Sequence, residues 1–280
     1  MALTDRVPKN TGLKLYLQTV IGRAYPRVVG LVREKSWFFF DILLPVMSVA
    51  AYVFVYRAIQ APEIYIGFVV MGGAMTAFWL NILWSMSSQM YWEKEMGNLA
   101  LYIMAPNSMM AVLLGMALGG LFATAQRALV ITLFGMFAFN VGFEISNYLL
   151  LFAVFMLTMV ALYGLGMMSS SLFLLLSREA WHMANLAQEP IYLASGFYFP
   201  IKSFNFWVAA GASLIPLTLG LDAMRQLAFP GGVELGFVDV RIEVAVLAAL
   251  SVIFLLGARA LLRHMEKLAI AEGRLTESRR

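Results

Sequence analysis

From Met109 to Phe139 the chain carries one charged residue, Arg127, and apolar runs of this kind recur along its length. A helix needs about 20 mostly apolar residues to cross the hydrocarbon core of a bilayer. Residues 38–56, 64–89, 109–139 and 147–176 meet that requirement, and 244–262 comes close. Residues 185–221 are also apolar but are interrupted by Pro190, Pro200 and Pro216. They read as one further span ending near 200, followed by short helices that dip into the far interface. Irregular backbone is tolerated at that depth only where protein or a water-filled cavity surrounds it. The sequence thus predicts an all-α polytopic membrane protein with six transmembrane helices. The spans are expected at about 38–59, 64–90, 108–139, 147–176, 185–200 and 242–262, with an outer re-entrant hairpin at about 203–222. Composition agrees: 61% of the 280 residues are hydrophobic and 13% charged, against about 25% charged in a soluble domain.

Basic residues set the orientation. The first 37 residues, the expected cytoplasmic tail and interfacial helix, hold Arg6, Lys9, Lys14, Arg23, Arg27, Arg33 and Lys35. The expected tail over 263–280 is basic too, with Arg263, Lys267, Arg274, Arg279 and Arg280. Six spans place both termini on one side, and the charge bias makes that side cytoplasmic. Residues 1–35 are too often interrupted by charge to supply the apolar core of a cleavable signal peptide. Within them, Leu13, Tyr16, Leu17, Val20, Ile21, Ala24, Val28 and Leu31 recur at helical spacing, with Lys14, Gln18, Arg23 and Arg27 between. That pattern predicts an amphipathic helix lying in the inner interface and kinked near Pro26.

Several chemistries are absent from the sequence. With no cysteine and only two separated histidines, His182 and His264, there is no metal-ligand cluster. No phosphate-binding loop occurs, since Gly is nowhere followed by Lys. The expected cofactor complement of this chain is therefore none, and no catalytic residue is assigned. Ser169-Ser170-Ser171 has no neighbouring base, which argues against a membrane-embedded hydrolase. An ion-coupled secondary transporter is the alternative. It calls for acids near the midplane and related halves, and only Glu189 suits while no internal repeat is visible.

The loop after the second expected span reads Trp92-Glu93-Lys94-Glu95-Met96-Gly97-Asn98-Leu99, followed by Ala105-Pro106. Two positions apart, Glu93 and Glu95 do not share a helix face, so a carboxylate pair for catalysis is excluded. A solvated turn and a docking helix remain open on the residues alone. The Glu-Lys-Glu-x-Gly-x-Leu run resembles the cytoplasmic segment of ABC-2 type transporter permeases. A second stretch agrees with the same family: Pro190, Ser195-Gly196-Phe197-Tyr198-Phe199-Pro200, Trp207, Pro216-Leu217-Thr218, Asp222 and Arg225. The resemblance spans nearly the whole chain.

It implies a permease of an ABC exporter for an amphipathic drug, lipid or lipid-linked glycan. The partners it implies are a second permease chain, as a homodimer, and two cytoplasmic ABC ATPase subunits that carry ATP and Mg. The location it implies is the plasma membrane, the inner membrane of a bacterium or archaeon. By the same resemblance, a coupling helix at about 92–104 contacts the ATPase through Trp92, Glu93, Lys94, Glu95, Gly97 and Leu99. Arg178 and Glu179 supply a second contact. Charges inside spans are costly and face protein or water, so Arg127 and Glu189, with Ser195 and Tyr198, are the candidate polar lining of a translocation route.

Overall fold

The computed structural model describes residues 12–33, 35–105, 108–176 and 190–271, with 182, 186 and 188 as isolated positions. Among them there is no strand, and the protein is an all-α polytopic membrane protein. Helix α1 (Leu13–Arg33) runs through Pro26 and precedes α2 (Lys35–Ala58). Helix α3 (Ile64–Leu80) passes into a seven-residue π-helical segment, Asn81–Ser87, and then into α4 (Gln89–Glu95). Next come α5 (Asn98–Met104), α6 (Met109–Phe139) and α7 (Tyr148–Leu176). Beyond a 3-10 turn at Ile201–Ser203 lie α8 (Phe206–Ala212), α9 (Pro216–Ala228), α10 (Gly232–Leu235) and α11 (Val240–Ala271).

Local chemistry accounts for several of these boundaries. Ser108 caps α6 by accepting from the Met110 N–H at 3.2 Å, and Asn140 ends it in the left-handed conformation, φ 57°. Both are common devices, since a short polar side chain serves an orphan N–H and Asn tolerates positive φ. Asn205 caps α8 through the Trp207 N–H at 3.1 Å, and Pro216 opens α9, where its missing N–H costs nothing.

Four described helices are long and apolar enough to cross a membrane: Ile64–Glu95, Met109–Phe139, Tyr148–Ser171 and Val240–His264. Helices α8 and α9, bent by 108°, make a fifth if the pair is a single span. In α2 the apolar part, Ile42–Ala58, falls short of that length. The start of the span expected at 185–200 lies outside the described residues.

Burial sorts these helices into a core and a shell. The apolar window of Ile64–Glu95 is 89% buried, whereas that of Val240–His264 is 22% buried. Helix α3 is therefore the axis, with α2, α6, α7 and α9 around it. The apolar residues left outside include Phe137, Tyr148, Leu149, Phe152 and Ile253. So large a bare apolar surface is unfavourable in water and is the natural surface of a chain solvated by lipid.

On α1, Leu13, Leu17, Ile21 and Tyr25 form an exposed stripe, while Val20 is buried against α6. That contact is close because α6 offers glycine: a Cβ on Gly115 would lie 2.5 Å from the Val20 carbonyl oxygen. In helix α9, part of which falls in the segment expected to re-enter the membrane, all of the residues are buried. A helix enclosed on all sides belongs to the protein interior.

Candidate functional site: a cavity joined to a polar cluster

The first half of the site lies where α3 leaves the core. Glu93 on α4 is 4% exposed and pairs with Arg23 of α1. It also accepts hydrogen bonds from Gln89 Nε2 at 2.9 Å, Asn98 Nδ2 at 3.0 Å and the Tyr102 hydroxyl at 3.3 Å. Burial pushes the Tyr102 phenol above its ordinary value, with Arg23 pulling it back and Glu93 adding to the rise. It therefore remains a protonated donor to Glu93. The Arg23 guanidinium stands 5.3 Å from the Tyr102 ring centroid, a further cationic contact. A buried carboxylate persists only when paired and hydrogen-bonded, and here four side chains share the task.

The sequence-predicted contact residues consequently divide. Glu93 points into the protein; Trp92, at 43% exposure, and Glu95 point out, and Lys94 is half-buried. The single helix expected over 92–104 is two helices, α4 and α5. Gly97 separates them in the left-handed conformation, φ 77°, which glycine adopts without a Cβ clash. Leu99 belongs to α5. Arg178 and Glu179 lie outside the described residues.

The second half is a cavity of about 400 Å³ between α2, α3, the π segment and α6. Its wall includes Ser48, Thr76, Asn81, Trp84, Arg127 and Tyr198. That volume suits a drug-sized ligand or a lipid headgroup, and an apolar wall set with a few polar groups is the usual composition of such sites. The structure thus brings together Arg127 and Tyr198, two of the four residues expected on a route. Ser195 is fully buried nearby, its hydroxyl without a hydrogen-bond partner among the described residues. Glu189 lies outside them, and so does any pairing of it with Arg127.

Tyr198 is held firmly. Its ring stacks on Tyr52 at 3.8 Å between centroids, and its carbonyl accepts from the Tyr56 hydroxyl at 2.9 Å. The turn carrying it is fixed by Arg225 of α9, which is 1% exposed. The Arg225 guanidinium donates to the carbonyls of Gly196 at 2.6 Å, Phe197 at 2.7 Å and Phe68 at 2.7 Å. It also lies 4.8 Å from the Phe68 ring centroid. Gly72 admits this turn, because a Cβ there would run into the Phe197 carbonyl.

Sequence reasoning placed Arg23 and Arg27 on the wet face of α1 and did not single out Asn81, Gln89 or Tyr102. One signal was present: Asn81, Ser85 and Gln89 recur every fourth residue inside an apolar run, a polar line on one helix face.

Comparison with curated proteins finds no match. The family model for the ABC-2 type transporter matches residues 27–229, which includes Arg27, Glu93 with its partners Gln89, Asn98 and Tyr102, the cavity wall and Arg225. The chain belongs to the ABC-2 type transporter family and is a membrane permease of ABC-type transport.

Proposed function

We propose that this chain is the permease subunit of an ATP-driven exporter, coupled to separate ATPase subunits at its cytoplasmic face. Two permease chains form the route for an amphipathic drug, lipid or lipid-linked glycan in the plasma membrane of a bacterium or archaeon. Both termini are cytoplasmic, six spans cross the bilayer, and 203–222 forms an outer re-entrant hairpin. ATP and Mg bind the partner, whose closure moves α4 and α5, and the cavity changes its access accordingly.

The observation that carries this reading is the split on α4. Glu93 is anchored inward by four side chains while Trp92, Glu95 and Met96 face outward. A short helix braced from behind, bearing an exposed aromatic and an acid and followed at its end by an exposed methionine, suits transmission of force from a soluble partner. The exposed α1 stripe of Leu13, Leu17, Ile21 and Tyr25 supports a helix laid in the inner interface.

Purification into lipid discs followed by mass spectrometry of the co-purifying chains tests the proposal. A soluble ATPase in equal copy number is the expected result. The chain travelling alone under several mild conditions would overturn it.

A further inference from the structure

We propose that Arg27 is a positioning residue through which the cavity and the partner-facing helices move as one, with the π-helical segment Asn81–Ser87 as the joint. This rests on the function proposed above.

The joint sits between two working ends. Asn81, Trp84 and Ser85 of the segment line the cavity. Ser88 alone separates its end from α4, which carries Gln89 and Glu93. A π turn holds one residue more than an α turn, and such insertions are frequent at functional sites. Taking up or releasing that residue turns the helix below by about 100° and shifts it by about 1.5 Å. Even a fraction of that motion would change both the cavity wall and the face that α4 presents.

Arg27 is placed to set this register. From α1 its Nη2 donates to the Ser85 carbonyl inside the π segment at 2.8 Å and to Gln89 Oε1 at 3.1 Å. Its Nη1 donates to the Met116 carbonyl of α6 at 3.2 Å. One guanidinium thus ties the joint, the first turn of α4 and the neighbouring span. Gln89 passes the link on, donating from Nε2 to Glu93 at 2.9 Å, and Glu93 reaches Arg23, Asn98 and Tyr102. At the cavity end, Asn81 Oδ1 accepts from the Tyr163 hydroxyl at 3.3 Å. Gly120 keeps the junction open: a Cβ there would press on Asn81 and come within 3.2 Å of Arg27 Nη1. The planar fork of arginine serves several acceptors at once, which a lysine ammonium on a single stem does less well.

The test uses the absence of cysteine in this chain. Ser48→Cys places a single thiol on the cavity wall, away from the Arg27 network. In the assembled complex in lipid discs, the reporter is its rate of modification by a charged methanethiosulfonate, nucleotide-free and trapped with ATP and vanadate. With Arg27 present, the two states are expected to differ by about fivefold or more, the lower range of couplings between sites. Arg27→Gln should reduce the difference to less than about twofold with the ATPase still bound, and Arg27→Lys should fall between. A full difference in Arg27→Gln would overturn the assignment. Should Arg27→Gln fail to assemble, Gln89→Met carries the test. It removes the link to Glu93 and spares the bonds to Ser85 and Met116, and an undiminished difference in it overturns the assignment equally. A bound ATPase with no nucleotide-dependent change in the Arg27 protein defeats this inference alone; no bound ATPase defeats the proposed function itself.

Discussion

Glu93 and Glu95 stand two residues apart and have opposite environments. Replacing Glu93 with alanine removes the acceptor for four donors and leaves Arg23 without its partner. Removing one member of a buried charged network costs about 3 kcal/mol or more. Glu93→Ala is therefore expected to lower the thermal unfolding temperature of the purified chain, whereas Glu95→Ala should leave it unchanged and weaken only the association with the ATPase. Equal loss of stability in the two variants, read by a fluorescence melt, would show that Glu93 is not a structural anchor. Arg225 allows a similar test. Its interior position is supported by carbonyl oxygens and an aromatic face rather than by a direct ion pair among the described residues. Arg225→Met leaves those carbonyls unpaired at about 1–3 kcal/mol each. The expected result is a markedly lower yield of folded protein, with Arg225→Lys partly restoring it. A normal melt for Arg225→Met would mean that water or a shifted turn replaces the guanidinium.

At the scale of elements, hydropathy resolved the long helices well and the short ones poorly. Helix α6 has the expected bounds because a span is a length of apolar chain, and Ser108 and Asn140 end it chemically. The π segment was not legible, because π and α turns share one composition and differ only in how carbonyls pair. The surroundings of helix α9 were not legible for a related reason. Asp222, Arg225 and Gln226 each find partners inside the fold, which no local pattern reports. Arg23 and Arg27 were likewise assigned to the polar face without the knowledge that α4 and α6 would cover it. The bend between α8 and α9 yields an expectation of its own. Trp207 is 79% exposed and Leu214 also lies open, while Leu221 is fully buried. In intact cells, single cysteines at Trp207 and Leu214 should react with an impermeant maleimide applied outside, and one at Leu221 should not. Uniform labelling along the segment would replace the re-entrant hairpin with a free loop.

For the whole molecule the question is how many chains make one working unit. A single chain presents one α4–α5 surface among its described residues, whereas the function proposed above calls for two ATPase chains that close as a pair. One permease can then brace only one member of that pair, and the other would close without load. Two chains related by a two-fold axis give each ATPase an equivalent contact, the commonest symmetry of soluble assemblies and a natural one here. The distribution of burial fits such pairing: α3 is enclosed within one chain, whereas much apolar surface elsewhere stays bare for lipid or for a second copy. Native mass spectrometry of the complex released from lipid discs should give a particle with two permease chains and two ATPase chains. Loading with a Trp92→Ala, Glu95→Ala chain should shift the population toward the permease pair without ATPase, because only the outward face of α4 has been altered. A particle with one permease chain and full ATP-driven activity would refute the paired arrangement while leaving the Glu93 anchor and the cavity in place.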